Sequence, residues 1–262
     1  MNEDGVVAAP LPSVEMMGVR IHRVNRETLL AWLGDALVGE ACRFVANVNA
    51  HAMNLAWVRP SFRQALNCAD LVFVDGYGVV LAARLLRLEI GERLTFADWM
   101  PDFLRVCAAR QAALFFLGDT DEVGAAFAAW VRTHYPGIVW AGHHHGFFAR
   151  SGAENERVIA AINASGAQVL LVGISMPIQE EWFVANRERL SGVRVALMSG
   201  GYARIATGLI PRGPRWMTDH GLEWLYRFFQ QPRYTWRRYW VGNPLFLMRA
   251  VAWRYFAVSP RD

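Results

Sequence analysis

The residues best placed for chemistry stand where apolar runs stop. Leu71-Val72-Phe73-Val74 ends at Asp75-Gly76, with Gly78 close behind. A carboxylate at the C-terminal end of a parallel strand points into the crevice where open α/β sheets bind ligands, and there it can serve as a general base. Asp also caps helices, and helical spacing resumes after Gly78, so taken alone the residue carries both readings. Asp119-Thr120-Asp121 has the D-x-D form of a metal motif. It follows an apolar run and opens a helical segment, so helix capping accounts for it. His143-His144-His145 precede Gly146-Phe147-Phe148; adjacent histidines lack the i,i+4 geometry of a helical metal site, and a loop is expected there. Gly173-Ile174-Ser175-Met176 lacks the closing glycine of a nucleophile elbow. Cys42, Cys68 and Cys107 are odd in number and widely spaced, as buried thiols of a reducing compartment would be. Neither metal nor cofactor is expected.

The elements that must position these groups follow from the apolar pattern. Strand-like runs occur at Arg43–Val48, Leu71–Val74, Ala113–Leu117, Ile138–Ala141, Gln168–Val172 and Val193–Met198. Helix-compatible spacing lies between them, at Ala50–Asn67, Asp98–Arg110, Asp121–His134, Glu154–Ala164 and Pro177–Leu190. This alternation predicts an α/β, Rossmann-like parallel sheet with helices on both faces. The strands are almost continuously apolar, as strands covered on both faces are.

The rhythm stops near Ile210. Residues 1–209 read as the α/β core and residues 210–262 as a basic, aromatic, helical appendage that begins with Pro211-Arg212-Gly213-Pro214. The appendage holds nine arginines against Asp219, Glu223 and Asp262, whereas the whole chain of 262 residues carries a net charge of only +4. Aromatic residues such as Trp224, Tyr226, Phe228, Tyr234, Trp236 and Trp240 interleave with Arg227, Arg233, Arg237 and Arg238. Such a face suits an anionic membrane surface, with rings among the headgroups and guanidinium groups on lipid phosphates. No apolar run of 18 residues is free of charge, so no transmembrane helix is expected. Met1-Asn2-Glu3-Asp4 is acidic and has no apolar core, so no secretory leader is expected either.

Taken in order, Asn47-Val48-Asn49-Ala50-His51, Asp75-Gly76, Glu92-Arg93-Leu94-Thr95, Gly173-Ile174-Ser175-Met176-Pro177-Ile178-Gln179-Glu180, Ser199-Gly200-Gly201 and Gly221-Leu222-Glu223-Trp224-Leu225-Tyr226-Arg227 resemble the bacterial WecG/TagA/CpsF glycosyltransferases, glycosyltransferase family 26. The resemblance runs from about Gly18 to Arg238. It implies inverting transfer of a sugar from a UDP donor to a polyprenyl-diphosphate-linked sugar, at the cytoplasmic face of the membrane. The donors it implies are UDP-glucose, UDP-ManNAc or UDP-ManNAcA, and the products belong to cell-surface or exopolysaccharide assembly. It implies Asp75 as the base and Arg93 on the diphosphate of the leaving nucleotide. It places Asn47, Asn49, Gly173, Gln179, Gly200 and Gly201 at the substrates, needs no metal, and implies self-association on the membrane.

Three positions depart from the family pattern. Asn47 stands where Thr is usual, Phe96 replaces a glycine, and Ala203-Arg204 replaces Phe-Asp. These motivate a second expectation, a nucleotide-binding regulatory module that kept the fold and lost catalysis. A nucleic-acid binder ranks last, because the excess positive charge is confined to one end; no nucleic acid is expected as a partner.

Overall fold

The computed structural model describes residues 11–230 and 232–260, apart from the side chains of Asp219 and Tyr234; the Met1–Asp4 stretch lies outside the described residues. It opens with an antiparallel hairpin, β1 (Ser13–Met16) and β2 (Val19–His22). Met17 and Gly18 both have positive φ, 54° and 77°, as the two-residue turn of a tightly twisted hairpin requires. His22 Nδ1 accepts the Val72 amide at 2.9 Å. A side chain of the hairpin thus satisfies a backbone donor on the edge strand of the main sheet.

Then come α1 (Arg26–Val38), β3 (Arg43–Val48), α2 (Ala50–Val58), α3 (Pro60–Asn67), β4 (Leu71–Val74), α4 (Tyr77–Leu86) and α5 (Phe96–Ala109). The chain continues through β5 (Ala113–Gly118), α6 (Asp121–His134), β6 (Val139–His144), α7 (Gly152–Ala164), β7 (Val169–Gly173), α8 (Ile178–Asn186), β8 (Val195–Met198) and α9 (Tyr202–Ala206). The helix expected over residues 50–67 is broken, because Pro60 restricts Arg59 to an extended conformation and begins α3 itself. His143 and His144 belong to β6 rather than to the expected loop; pairing with Phe116 and Leu117 of β5 extends the strand.

The six main strands are all parallel, in the order β4-β3-β8-β7-β5-β6. Alternate residues feed two cores. Phe44, Ala46 and Val48 of β3 face α2, α3, α4, α7 and α8, whereas Val45 faces α1, α5, α6 and α9. The chain therefore leaves β5 towards one edge and β7 towards the other, and this reversal opens a crevice at their C-terminal ends.

From residue 210 the chain crosses that C-terminal rim in short helices: α10 (Arg215–Asp219), α11 (Glu223–Gln230), α12 (Pro232–Trp236) and, after a π-turn at Arg237–Val241, α13 (Gly242–Phe256). The last helix packs on α2 and α4, with Phe246 and Ala250 fully inside the core. Asn54 of α2 donates to the Gly242 carbonyl at 2.7 Å and accepts from Arg249 at 2.8 Å. The segment begins beside α9 on one face of the sheet and finishes on the other, straddling the site.

Candidate active site

Asp75 lies where β4 ends, and its amide still bonds to Val48 of β3 at 3.0 Å. Its Oδ1 accepts the Phe96 amide at 3.1 Å. The residue does cap a helix, but the one it caps is α5, reached 21 residues later. The α4 helix that directly follows starts at Gly76 with no side-chain cap. Burial pushes the Asp75 carboxyl up to about 6. The Phe96 amide opposes the shift, Glu223 adds to it, and Arg238 and Arg93 lower it. A carboxylate poised near neutrality suits proton removal at physiological pH.

Arg93 is brought alongside by a single parallel bridge to Val74, backed by Leu94 donating to the Val74 carbonyl at 2.7 Å. Its guanidinium donates to Thr95 Oγ1 and to the Thr218 carbonyl, both at 2.9 Å. Neither partner is a carboxylate, so its charge stays available. Asn49 caps α2, its Oδ1 accepting the amides of His51 and Ala52. Gly76 lies against it: a Cβ there would stand 2.7 Å from the Asn49 Cβ. Only glycine lets Asp75 and Asn49 come this close. Asn47 is buried and donates to the Met198 carbonyl at 3.1 Å, joining β3 to β8 beneath the rim.

The glycines form the next part of the rim. A Cβ on Gly173 would meet the Gly200 carbonyl at 2.8 Å, and one on Gly118 would meet the Gly173 backbone at 2.5 Å. Gly200, at φ +51°, and Gly201 border open space. Gln179 departs from a simple binding role, being 0% exposed. Its Nε2 donates to Glu180 Oε1 at 2.8 Å, while its own Oε1 and Glu180 Oε2 have no partner. Burial raises the Glu180 carboxyl to about 7.

The departures acquire local reasons. Phe96 packs its ring near Phe73, Trp99 and Tyr202, joining α5 to α9 while its amide holds Asp75. Arg204 grips Asp119 with two hydrogen bonds, 2.5 and 2.6 Å. Thr120 caps α6, accepting the Val123 amide. The D-x-D segment thus places one carboxylate in an ion pair and the other in the first turn of a helix. His143 packs its ring over Gly124, and His145 accepts the Phe147 amide at 3.2 Å. Among the described residues no three His, Cys, Asp or Glu side chains are grouped to hold a metal ion. The three cysteines are free, but only Cys107 is buried as expected, its thiol pushed up to about 12, whereas Cys42 is half-buried and Cys68 exposed.

The appendage contributes groups that sequence reasoning missed. Gly221, at φ +73°, sits so close to Tyr77 that a Cβ would meet its ring at 2.7 Å. Glu223 and Arg238 act electrostatically on Asp75, and burial, aided by Arg238, brings His51 down to about 4. Of the four arginines expected at a membrane, Arg238 therefore also faces the site. Arg237 lies over Trp236 with its guanidinium 5.4 Å from the ring centroid, Arg233 and Arg237 are exposed, and Arg227 is half-buried beside a small cavity under α11. Glu223 stood inside the recognised Gly221–Arg227 segment, but nothing local in that segment marks its reach to Asp75.

A parallel α/β sheet with a carboxylate, a guanidinium paired to no carboxylate and glycines at its C-terminal rim is the arrangement in which open α/β enzymes bind their substrates. The sequence model of the glycosyl transferase WecG/TagA/CpsF family matches residues 14–259, and the chain belongs to that family; it is a glycosyltransferase. Among its relatives is the N-acetylglucosaminyldiphosphoundecaprenol N-acetyl-beta-D-mannosaminyltransferase of Staphylococcus aureus strain MRSA252, 29% identical over 184 residues, 70% of each chain. The protein of the same description from S. aureus strain NCTC 8325 / PS 47 is 28% identical over the same length.

Proposed function

We propose that this glycosyltransferase moves a hexose-type sugar from a UDP donor to a polyprenyl-diphosphate-linked sugar, with inversion, in cell-surface or exopolysaccharide assembly. The observation that carries the reading is the Asp75 carboxylate, raised to about 6 and held by the Phe96 amide next to Arg93. Asp75 removes the proton from the acceptor hydroxyl as that oxygen attacks the anomeric carbon. The bond from that carbon to the UDP oxygen breaks, and its electron pair leaves with UDP. Asn49 and the Gly173, Gly200 and Gly201 backbone line the path of the donor, while buried Gln179 supports the crevice floor through Glu180.

The relatives are described as transferring N-acetylmannosamine to an undecaprenyl-diphosphate-linked GlcNAc. UDP-ManNAc is therefore the first donor to test here, followed by UDP-ManNAcA and UDP-glucose. No described helix is long and apolar enough to cross a membrane. We assign membrane contact to the exposed aromatic face of α11 to α13, with Arg233 and Arg237 on anionic headgroups at the cytoplasmic face. The test is turnover of the purified chain with each UDP-sugar and a GlcNAc-diphosphate-prenyl acceptor. Release of UDP dependent on both substrates, abolished in Asp75→Asn, is the expected result. UDP bound but never released as product from any donor would mark a regulatory module instead.

A further inference from the structure

Beside Asp75, on the α1/α5 side of the rim, lies a cleft of about 760 Å³ lined in part by the Glu92–Thr95 segment. Arg26, Arg93, Arg212 and Arg215 line it, with Glu92 and Asp98 as its acidic residues. The pairs divide unevenly. Arg26 is held by Asp102 and the Asp98 carbonyl, and Arg212 bonds to Asp98 at 2.8 Å. Arg93 bonds only to a hydroxyl and a carbonyl, and Arg215 has no ion pair among the described residues. With Glu92, Asp98 and Asp102 set against the four arginines the cleft stays net positive, and Arg93 and Arg215 are the two guanidinium groups tied to no carboxylate among the described residues.

Two residues of its wall carry buried polar atoms without hydrogen-bond partners: Trp99 Nε1, in a side chain only 1% exposed, and Arg212 Nε, whose neighbouring Nη2 lies 3.8 Å from Glu223. Both unpaired atoms are donors. Buried donors left unpaired are costly, and an acceptor-rich anion is the ligand that relieves them. At the rim, next to Arg215, Trp216 is 60% exposed, which suits the boundary between a headgroup and an acyl chain.

We infer that this cleft binds the diphosphate of the lipid-linked acceptor, and that Arg93 and Arg215 serve that diphosphate rather than the one leaving with the nucleotide. The inference rests on the proposed inverting transfer. In an in-line displacement the base and the leaving group lie on opposite faces of the donor sugar. Arg93 stands on the base's side, since its backbone bridges Val74, the residue before Asp75. The leaving diphosphate belongs across β3, at the crevice above the close-packed Gly118 and Gly173, where Gly200 and Gly201 border open space and their backbone can approach phosphate. The acceptor's own diphosphate and its attacking hydroxyl are carried on one sugar, so its anion site must adjoin Asp75, as this cleft does. The lipid then leaves past Trp216 towards the membrane.

The test compares Arg215→Gln with wild type and with Arg132→Gln, a surface control on α6. Arg215→Gln should raise the KM for the GlcNAc-diphosphate-prenyl acceptor about ten-fold, the loss of one charge-assisted contact, with the KM for UDP-sugar unchanged. Calorimetry with farnesyl diphosphate and with UDP gives the same comparison without turnover. It therefore decides the inference even if the proposed transfer fails for every donor. Arg215→Gln should weaken farnesyl diphosphate and leave UDP binding as in wild type. Arg93→Gln, checked for an unchanged melting temperature, should do the same. Weaker UDP binding or a raised KM for UDP-sugar in either variant would overturn the assignment. So would farnesyl diphosphate that does not bind wild type, or that binds both variants equally well.

Discussion

At the scale of single residues, Asp75 is held in a conflict that a purely structural carboxylate would avoid. Its ordinary value of 3.8 rises to about 6, so between those pH values the folded state holds more proton than the unfolded one, and stability falls as pH rises through that window. Above it the full cost is present, up to about 3 kcal/mol for a shift of this size. Asp75→Asn keeps an oxygen for the Phe96 amide and loses the buried charge. It should therefore unfold at a higher denaturant concentration than wild type at pH 7, with the difference gone by about pH 4. A variant that is inactive yet more stable is what a working base predicts. A second residue-scale prediction concerns Glu180, whose buried Oε2 has no partner. Glu180→Gln should cost little stability at pH 8 or raise it, since the ionised form is the one that burial opposes.

At the scale of elements, the strands were legible where polar residues bound a continuous apolar run. Arg43–Val48 and Leu71–Val74 coincide with β3 and β4 for that reason. The Ser13–His22 hairpin escaped because Glu15 and Arg20 interrupt its short strands and its turn depends on Met17 adopting a positive φ. Asp75 was legible as a strand-end carboxylate, but its helix was not, because the Phe96 amide reaches it through tertiary structure. Arg204 and Asp119 are 85 residues apart, so their pairing was invisible too, and Arg204 stood only as a departure from the family pattern. With Arg204 well exposed, the pair is worth about 1 kcal/mol or less. Arg204→Ala should lower the melting temperature by only a few degrees. A larger effect on KM for UDP-sugar than on stability would place the pair at the donor.

Across the whole molecule, the appendage is part of the fold as well as the proposed surface for lipid. Phe246 is fully buried against α2 and α4, and Phe246→Ala should cost about 3–5 kcal/mol in denaturant unfolding. Removal of everything after residue 209 would uncover those helices, so loss of membrane binding in such a truncation would prove little. Arg233→Glu with Arg237→Glu is the cleaner comparison, because both side chains are exposed and neither is among the charges that act on Asp75. The pair should float markedly less with anionic liposomes than wild type, each lost arginine being worth about 1 kcal/mol near such a surface. Equal flotation would remove the membrane assignment. The straddling path explains why Glu223 and Arg238 feel Asp75: the segment proposed to meet the membrane also carries charges that act on that carboxylate.

The dependence of kcat/KM on pH bears most directly on Asp75 as the base. Wild type should lose activity below a single ionisation near pH 6, with unit slope, and hold a plateau above it. Asp75→Asn should fall by about 10²–10⁴-fold and lose that acid limb. An Asp75→Asn enzyme with the wild-type profile, or a wild-type profile flat through pH 6, would contradict the account.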